Sequence, residues 1–219
     1  SWDCTFAIEH VYGHHKNIGY NGDPATASRY ESLYMFIIRG TIKAHKDAWK
    51  IEIERLKRLS NFPFSIKNKM IQGYIRSSFL CFVAYTIGGL TGVGFFIFLA
   101  ILAKSLLETI NYIEHYGLVR AKGEPVLPKH SWNSNHVMSS SLLYNLNRHS
   151  AHHEKANLKY WELSAYPDAP KLPYGYLTCL YIAYFFPYLF KKMMKSKLQH
   201  WDEVYANDKE LLIIKAQNS

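Results

Sequence analysis

Cysteine is scarce in this chain. Its three residues, Cys4, Cys81 and Cys179, are odd in number, far apart and form no CxxC pair. A disulfide framework and a thiolate zinc site are therefore not expected, and a reducing compartment fits. HExxH, the helical signature of zinc peptidases, does not occur. Zinc-finger, RNP and helix-turn-helix patterns are missing too, so the net charge of +9 does not read as nucleic-acid binding. No signal-peptide pattern of basic, apolar and small-residue regions opens the sequence. Charge itself disappears between residues 77 and 103, a stretch too long and too aromatic to hide in a small soluble domain.

That uncharged stretch has Gly88, Gly89, Gly92 and Gly94 at its middle. Glycine permits turns that other residues resist, so the pattern predicts a membrane hairpin with helices over 69–87 and 90–115. Eight Lys or Arg residues between Lys43 and Lys69 precede it, and Lys104, Arg120 and Lys122 follow. The positive-inside rule then places both ends in the cytoplasm. The basic charge is assigned to a membrane-facing cytoplasmic surface rather than to nucleic acid. Residues 44–60 mix apolar and basic positions at helical spacing, as an interfacial helix does. A second uncharged run, 172–190, carries Pro173 and Pro187 and is marginal for spanning, which predicts a buried, re-entrant or interfacial element. Residues 201–219 are expected to be a polar surface appendage. The fold class expected is all-α, an integral-membrane helical bundle.

Seven of the eleven histidines fall in three short clusters: EHVYGHH at 9–15, NYIEHYG at 111–117 and RHSAHH at 148–153. On a helix, His10 and His14 share a face, and so does His149 with His152 and His153. Imidazoles converging from separate segments can hold a metal without thiolates. Seven candidates (His10, His14, His15, His115, His149, His152 and His153) exceed one tetrahedral site, which implies two metals. Glu9, Glu114 and Glu154 adjoin the clusters and could ligate or hydrogen-bond the rings. His130, Asn133, Asn135 and His136 form a polar stretch suited to orienting ligand rings. Residue chemistry alone leaves iron, copper and zinc open. The second hairpin helix would reach His115 after roughly 37 Å, beyond a hydrocarbon core of about 30 Å. The metal site is therefore expected at the inner edge of the membrane.

Four segments carry a resemblance. EHVYGHH resembles the EHxxGHH box of the bacterial integral-membrane alkane hydroxylases, and NYIEHYG their NYxEHYG box. HSWNSNH at 130–136 is similar to their stretch of the same sequence, and LNRHSAHH at 146–153 to their LQRHSxHH box, with Asn147 in place of Gln. The resemblance implies a bundle of the membrane fatty-acid desaturase and alkane hydroxylase type, with cytoplasmic histidine-rich helices. It implies a non-haem diiron monooxygenase in which the seven histidines hold two iron ions and O2 is the co-substrate. Rubredoxin and rubredoxin reductase would supply electrons, or a ferredoxin-type reductase in the xylene branch. The substrate implied is a medium-chain n-alkane, hydroxylated to a primary alcohol at the bacterial cytoplasmic membrane. The alternatives are a methyl-group hydroxylase of xylene or toluene, an acyl-chain desaturase or hydroxylase, and a metal-binding remnant without activity. The family's HExxHK-like first box has no counterpart here. It is expected upstream of Ser1 with earlier membrane helices, so the chain is read as a C-terminal portion, inactive alone.

Overall fold

The computed structural model describes residues 3–154 and 157–217, and every regular element among them is helical. Among the described residues, the only bridge between extended segments pairs Asn133 with Lys171. The chain starts with a short helix α1 (Phe6–Glu9), a π-helical turn (His10–His14) and α2 (His15–Asn17). The long helix α3 (Leu33–Arg58) and the membrane helix α4 (Lys69–His115) follow. Then come the short helices α5 (Val137–Leu142) and α6 (His149–Glu154), and α7 (Tyr176–Phe185), α8 (Pro187–Val204) and α9 (Asp208–Gln217).

α4 is not straight. Gly88 and Gly89 leave helical geometry, Gly89 with φ 58° and ψ −147°, a region open essentially to glycine alone. The chain reverses there. A Cβ added at Gly92 would lie 2.3 Å from the carbonyl oxygen of Ala84, eight residues back, so the arms touch just past the turn. At the other end, a Cβ at Gly73 would strike Cys4, while Lys104 pairs with the adjacent Asp3 at 2.7 Å. In a straight helix residues 73 and 104 would lie roughly 46 Å apart. The element therefore folds back on itself at Gly88 and Gly89. Its apolar window of 18 residues is entirely unburied, with Phe79, Phe82, Ile87, Leu90, Phe95 and Phe98 turned outward. Such a surface belongs in lipid. From Glu108 to Ala121 nearly every residue is buried, so the second arm passes from lipid into protein before it ends.

Asn68 caps α4, its side chain accepting from the N–H of Met70 at 2.8 Å and of Ile71 at 3.4 Å. α3 packs along α4 through Phe36, Gly40, Ala44, Ala48, Glu52 and Leu56, a stripe repeating every four residues. The small residues leave room on this face: a Cβ at Gly40 would lie 3.0 Å from the Pro24 carbonyl of the preceding loop and 3.2 Å from Glu108 Oε2 on α4. The helix expected over 44–60 therefore begins earlier, at Leu33, and one face is held against protein.

The second uncharged run breaks at Phe186, where Pro187 opens α8. α7 buries Tyr176, Cys179 and Ala183 and is too short to span. The expected surface appendage at 201–219 is not one. Trp201, Glu210 and Ile214 are buried, and α9 docks on the core; Asn218 and Ser219 lie outside the described residues. Its average polarity concealed a few apolar side chains spaced to face one way.

Candidate metal centre

The first cluster departs from α-helical winding. Within the turn His10–His14 the backbone N–H of His15 bonds back to the carbonyl of His10, five residues earlier. A π turn of this kind brings residues five apart onto one side, where an α-helix would splay them. His15 Nε2 consequently sits 3.3 Å from His10 Nε2. The expectation that His10 and His14 would work as an α-helical pair is corrected: His14 turns inward to different partners. Gly13 leaves room for the Glu9 carboxyl, whose Oε1 would lie 2.5 Å from a Cβ there.

All seven clustered histidines converge, and they divide into two groups. His14, His115, His149 and His153 are buried, with one ring nitrogen each within 4.8 Å of the others; His10, His15 and His152 form a second set by the same measure, half-buried. In the first set, His149 Nε2 lies 3.1 Å from His115 Nε2 and 2.6 Å from His153 Nε2. In the second, His10 Nε2 lies 3.4 Å from His152 Nε2. His152 and His153, neighbours on α6, thus go to different groups.

Two rings have their tautomers fixed from behind. His14 donates from Nδ1 to Asp23 Oδ2 at 2.9 Å, both side chains being fully buried. Asp23 also accepts from the Thr26 hydroxyl at 2.6 Å. His115 donates from Nδ1 to the backbone carbonyl of His130 at 3.2 Å. Each bond leaves the Nε2 lone pair facing the centre, the arrangement of a metal-ligating histidine. The inward Nε2 of His14 is buried without a hydrogen-bond partner among the described residues.

Electrostatics favour neutral rings in the outer set. Burial, then the nearness of His14 and the other rings, pushes His10 down to about 2; burial and His152 bring His15 down to about 4. His14 goes the other way. Burial lowers it, but the charge and hydrogen bond of Asp23 outweigh that and hold it above the ordinary value. The negative charge of Asp23 that favours a proton on His14 also favours a cation beside it. Burial, with Asp23 second, raises the Glu9 carboxyl to about 7. The donor set therefore fits transition-metal ions: imidazoles on rigid supports, mutually repelling if charged, with inward lone pairs.

The carboxylates and amides distribute unevenly. Glu114 Oε2 lies 3.1 Å from His149 Nε2, and the Tyr176 hydroxyl holds its other oxygen at 2.5 Å. Glu9 is buried along Gly13 with Oε1 unpartnered among the described residues. Asn133 ties the start of α6, donating to Ser150 Oγ at 2.6 Å and accepting from the Ser150 N–H at 2.9 Å. His130 serves through its carbonyl, while its ring points away toward Glu210. Asn135, His136 and Glu154 are exposed; Glu154 accepts from the Tyr166 hydroxyl. The chain leaves the rings after Ser134, so Asn135 and His136 do not reach them, while Glu154, though beside His153 on α6, turns outward to Tyr166. Sequence reading missed Asp23, which has no histidine beside it, and Glu210; a lone acid in a Gly-Asp-Pro turn or a polar tail gives no signal.

A profile of the fatty acid desaturase family matches residues 3–183. The chain is 38% identical over 204 residues to alkane 1-monooxygenase 2 of Alcanivorax borkumensis, covering 90% of this chain and 53% of that protein. It is 38% identical over 203 residues to alkane 1-monooxygenase of Acinetobacter baylyi, covering 90% and 50%. It is 33% identical over 213 residues to the xylene/toluene monooxygenase hydroxylase component XylM of Pseudomonas putida, covering 96% and 57%. The chain spans about half the length of the curated relatives it matches.

Proposed function

The chain belongs to the fatty acid desaturase family, and from that premise we propose that it carries most of the metal centre of a membrane monooxygenase. The reaction proposed is O2-dependent hydroxylation of the terminal methyl of a medium-chain n-alkane to a primary alcohol. The observation carrying this reading is the convergence of seven histidines into two adjacent groups, in a chain similar to alkane 1-monooxygenases.

His14, His115, His149 and His153 would hold one iron ion, and His10, His15 and His152 the other. When bound, the pair would supply reductive activation of O2, with one oxygen atom inserted into a C–H bond and the other leaving as water. The protein's part is binding and orientation. Asp23 and the His130 carbonyl keep two rings aimed inward. Tyr176 holds the Glu114 carboxylate at the edge of the four-histidine group. The hairpin delivers His115 where lipid-facing surface gives way to protein, which suits a substrate that partitions into the bilayer. An alkane offers no polar handle, so selection of its end depends on a closed apolar channel. We place the centre on the cytoplasmic side of the bacterial inner membrane, from the lysines and arginines flanking the hairpin. Rubredoxin with its reductase, or a ferredoxin-type reductase, would donate electrons, and the basic cytoplasmic face would attract an acidic donor.

A second substrate class is favoured by one observation, the similarity to XylM: the methyl group of an alkylbenzene. The test is to express the protein from its complete reading frame, supply iron and an electron-donor chain, and offer octane and toluene in parallel. Formation of 1-octanol supports the first reading, and benzyl alcohol alone supports the second. Neither product from an iron-loaded protein would remove the hydroxylase reading and leave acyl-chain chemistry or a metal-binding remnant.

A further inference from the structure

The C-terminal helix α9 lies beyond the residues that the family profile matches, yet it places a fully buried carboxylate, Glu210, behind the metal centre. Burying a carboxylate is costly unless it is well paired. Trp201 and Ile214 already give this end of the chain apolar anchorage, so docking by itself does not call for a buried charge.

The partners of Glu210 give it a direction. Its Oε2 accepts from Lys129 Nζ at 2.6 Å and from the Asn207 N–H at 2.9 Å, while Oε1 faces His130 Nε2 at 3.0 Å. His130 Nδ1 accepts from the backbone N–H of Leu127 at 3.0 Å, so the ring proton must lie on Nε2, pointing at Glu210. The ring of His130 is thereby pinned at both nitrogens. Its backbone carbonyl is the group that accepts from His115 Nδ1. Trp201 Nε1 donates to the Lys129 carbonyl at 2.7 Å, and the Trp132 N–H to the Glu114 carbonyl at 2.8 Å, which close the segment on either side.

We propose that Glu210 is a positioning residue for the four-histidine group, acting through His130 to fix the tautomer and aim of His115. This rests on the reading above that the rings hold metal. Glu210 and Asp23 would support the same group from opposite ends of the chain, one on His115 and one on His14.

The experiment uses the purified protein expressed from its complete reading frame, stripped and titrated with cobalt(II), whose visible spectrum reports ligand geometry. Wild type should bind two equivalents. Glu210→Leu should weaken one of them ten- to a hundredfold and shift its visible bands, leaving the other unchanged. Glu210→Gln, which keeps an oxygen for the His130 N–H, should restore most of that affinity. His130→Leu, which leaves the bonds of Glu210 to Lys129 and Asn207 in place, should weaken the same equivalent, and it decides the matter if Glu210→Leu does not fold. Ile214→Ala, which loosens α9 without touching the network, should lower the unfolding temperature but not the affinity. The proposal is overturned if His130→Leu and Glu210→Leu bind both equivalents like wild type, or if Ile214→Ala weakens binding equally. Wild type binding no cobalt at all would overturn the metal-centre reading instead.

Discussion

Asp23 gives the sharpest test of how the inner group is held. Its carboxylate and the His14 ring meet at 2.9 Å with neither exposed, so no solvent screens or replaces the bond. In Asp23→Ala the Nδ1–H of His14 loses its acceptor in a dry site, costing about 1–3 kcal/mol, and the ring is free to turn. Asp23→Asn keeps an oxygen for His14 and loses only the charge. Removing such a partner typically weakens metal binding 10–100-fold, or ~1.4–2.7 kcal/mol. Affinity for one of the two proposed metal ions should therefore fall by about tenfold in Asp23→Asn and about a hundredfold in Asp23→Ala. The second ion should be unaffected, because the bonds of Asp23 reach only His14 among the seven rings. Competition of ferrous iron against a chelator of known affinity, read as iron per polypeptide, measures both sites. Full affinity in Asp23→Ala, alongside loss in His14→Ala, would refute the argument that the carboxylate aims the ring.

The division of the histidines predicts separable losses: His149→Ala should deplete the buried group and His10→Ala the half-buried one, each leaving about one ion per chain by elemental analysis. Equal loss of both ions from either variant would mean a single shared site. In the hairpin, Gly92→Ala should lower the thermal midpoint in detergent, since its methyl would collide with the Ala84 backbone, whereas Gly94→Ala, with open space around it, should not. Acid should release α9. Burial opposes the charge on Glu210, but its bonds to His130, Lys129 and Asn207 outweigh that and hold it below the usual 4.5. The stabilisation from a depressed carboxyl is complete above that ordinary value and disappears as pH falls through the lower folded one. Protease cleavage within 205–217 should stay slow at pH 6 and accelerate only below about 4.5; constant resistance down to pH 3 would contradict the pairing.

Much was legible in the residues because the physics was local. A charge-free run with four glycines at its centre specifies two apolar arms and a turn, whatever else the chain does. The clusters marked seven rings that meet in the structure, but helical spacing paired His10 with His14 and His149 with His152, which fall in different groups. The partition between two groups was not legible. It depends on a π turn at His10–His14, which no spacing rule announces, and on α6 sitting between the groups so that adjacent rings diverge. Asn135 and His136 read like their neighbour Asn133, and only the path of the backbone after Ser134 separates them. The tail misled through its average polarity, since two buried residues, Glu210 and Ile214, suffice to dock α9.

Composition and pattern by themselves pointed to an all-helical membrane protein with a glycine-broken apolar run and three histidine clusters, one of them at that run's end. Hydrophobic runs and side-chain periodicity act within a single segment, and a sequence displays them directly. Tertiary structure alone decided which imidazoles face one another, which carboxylate stands behind His14, and that Glu210 reaches His130 from far along the chain. Those pairings join residues that are distant in sequence, and their strength comes from burial, which exists only once the segments have packed.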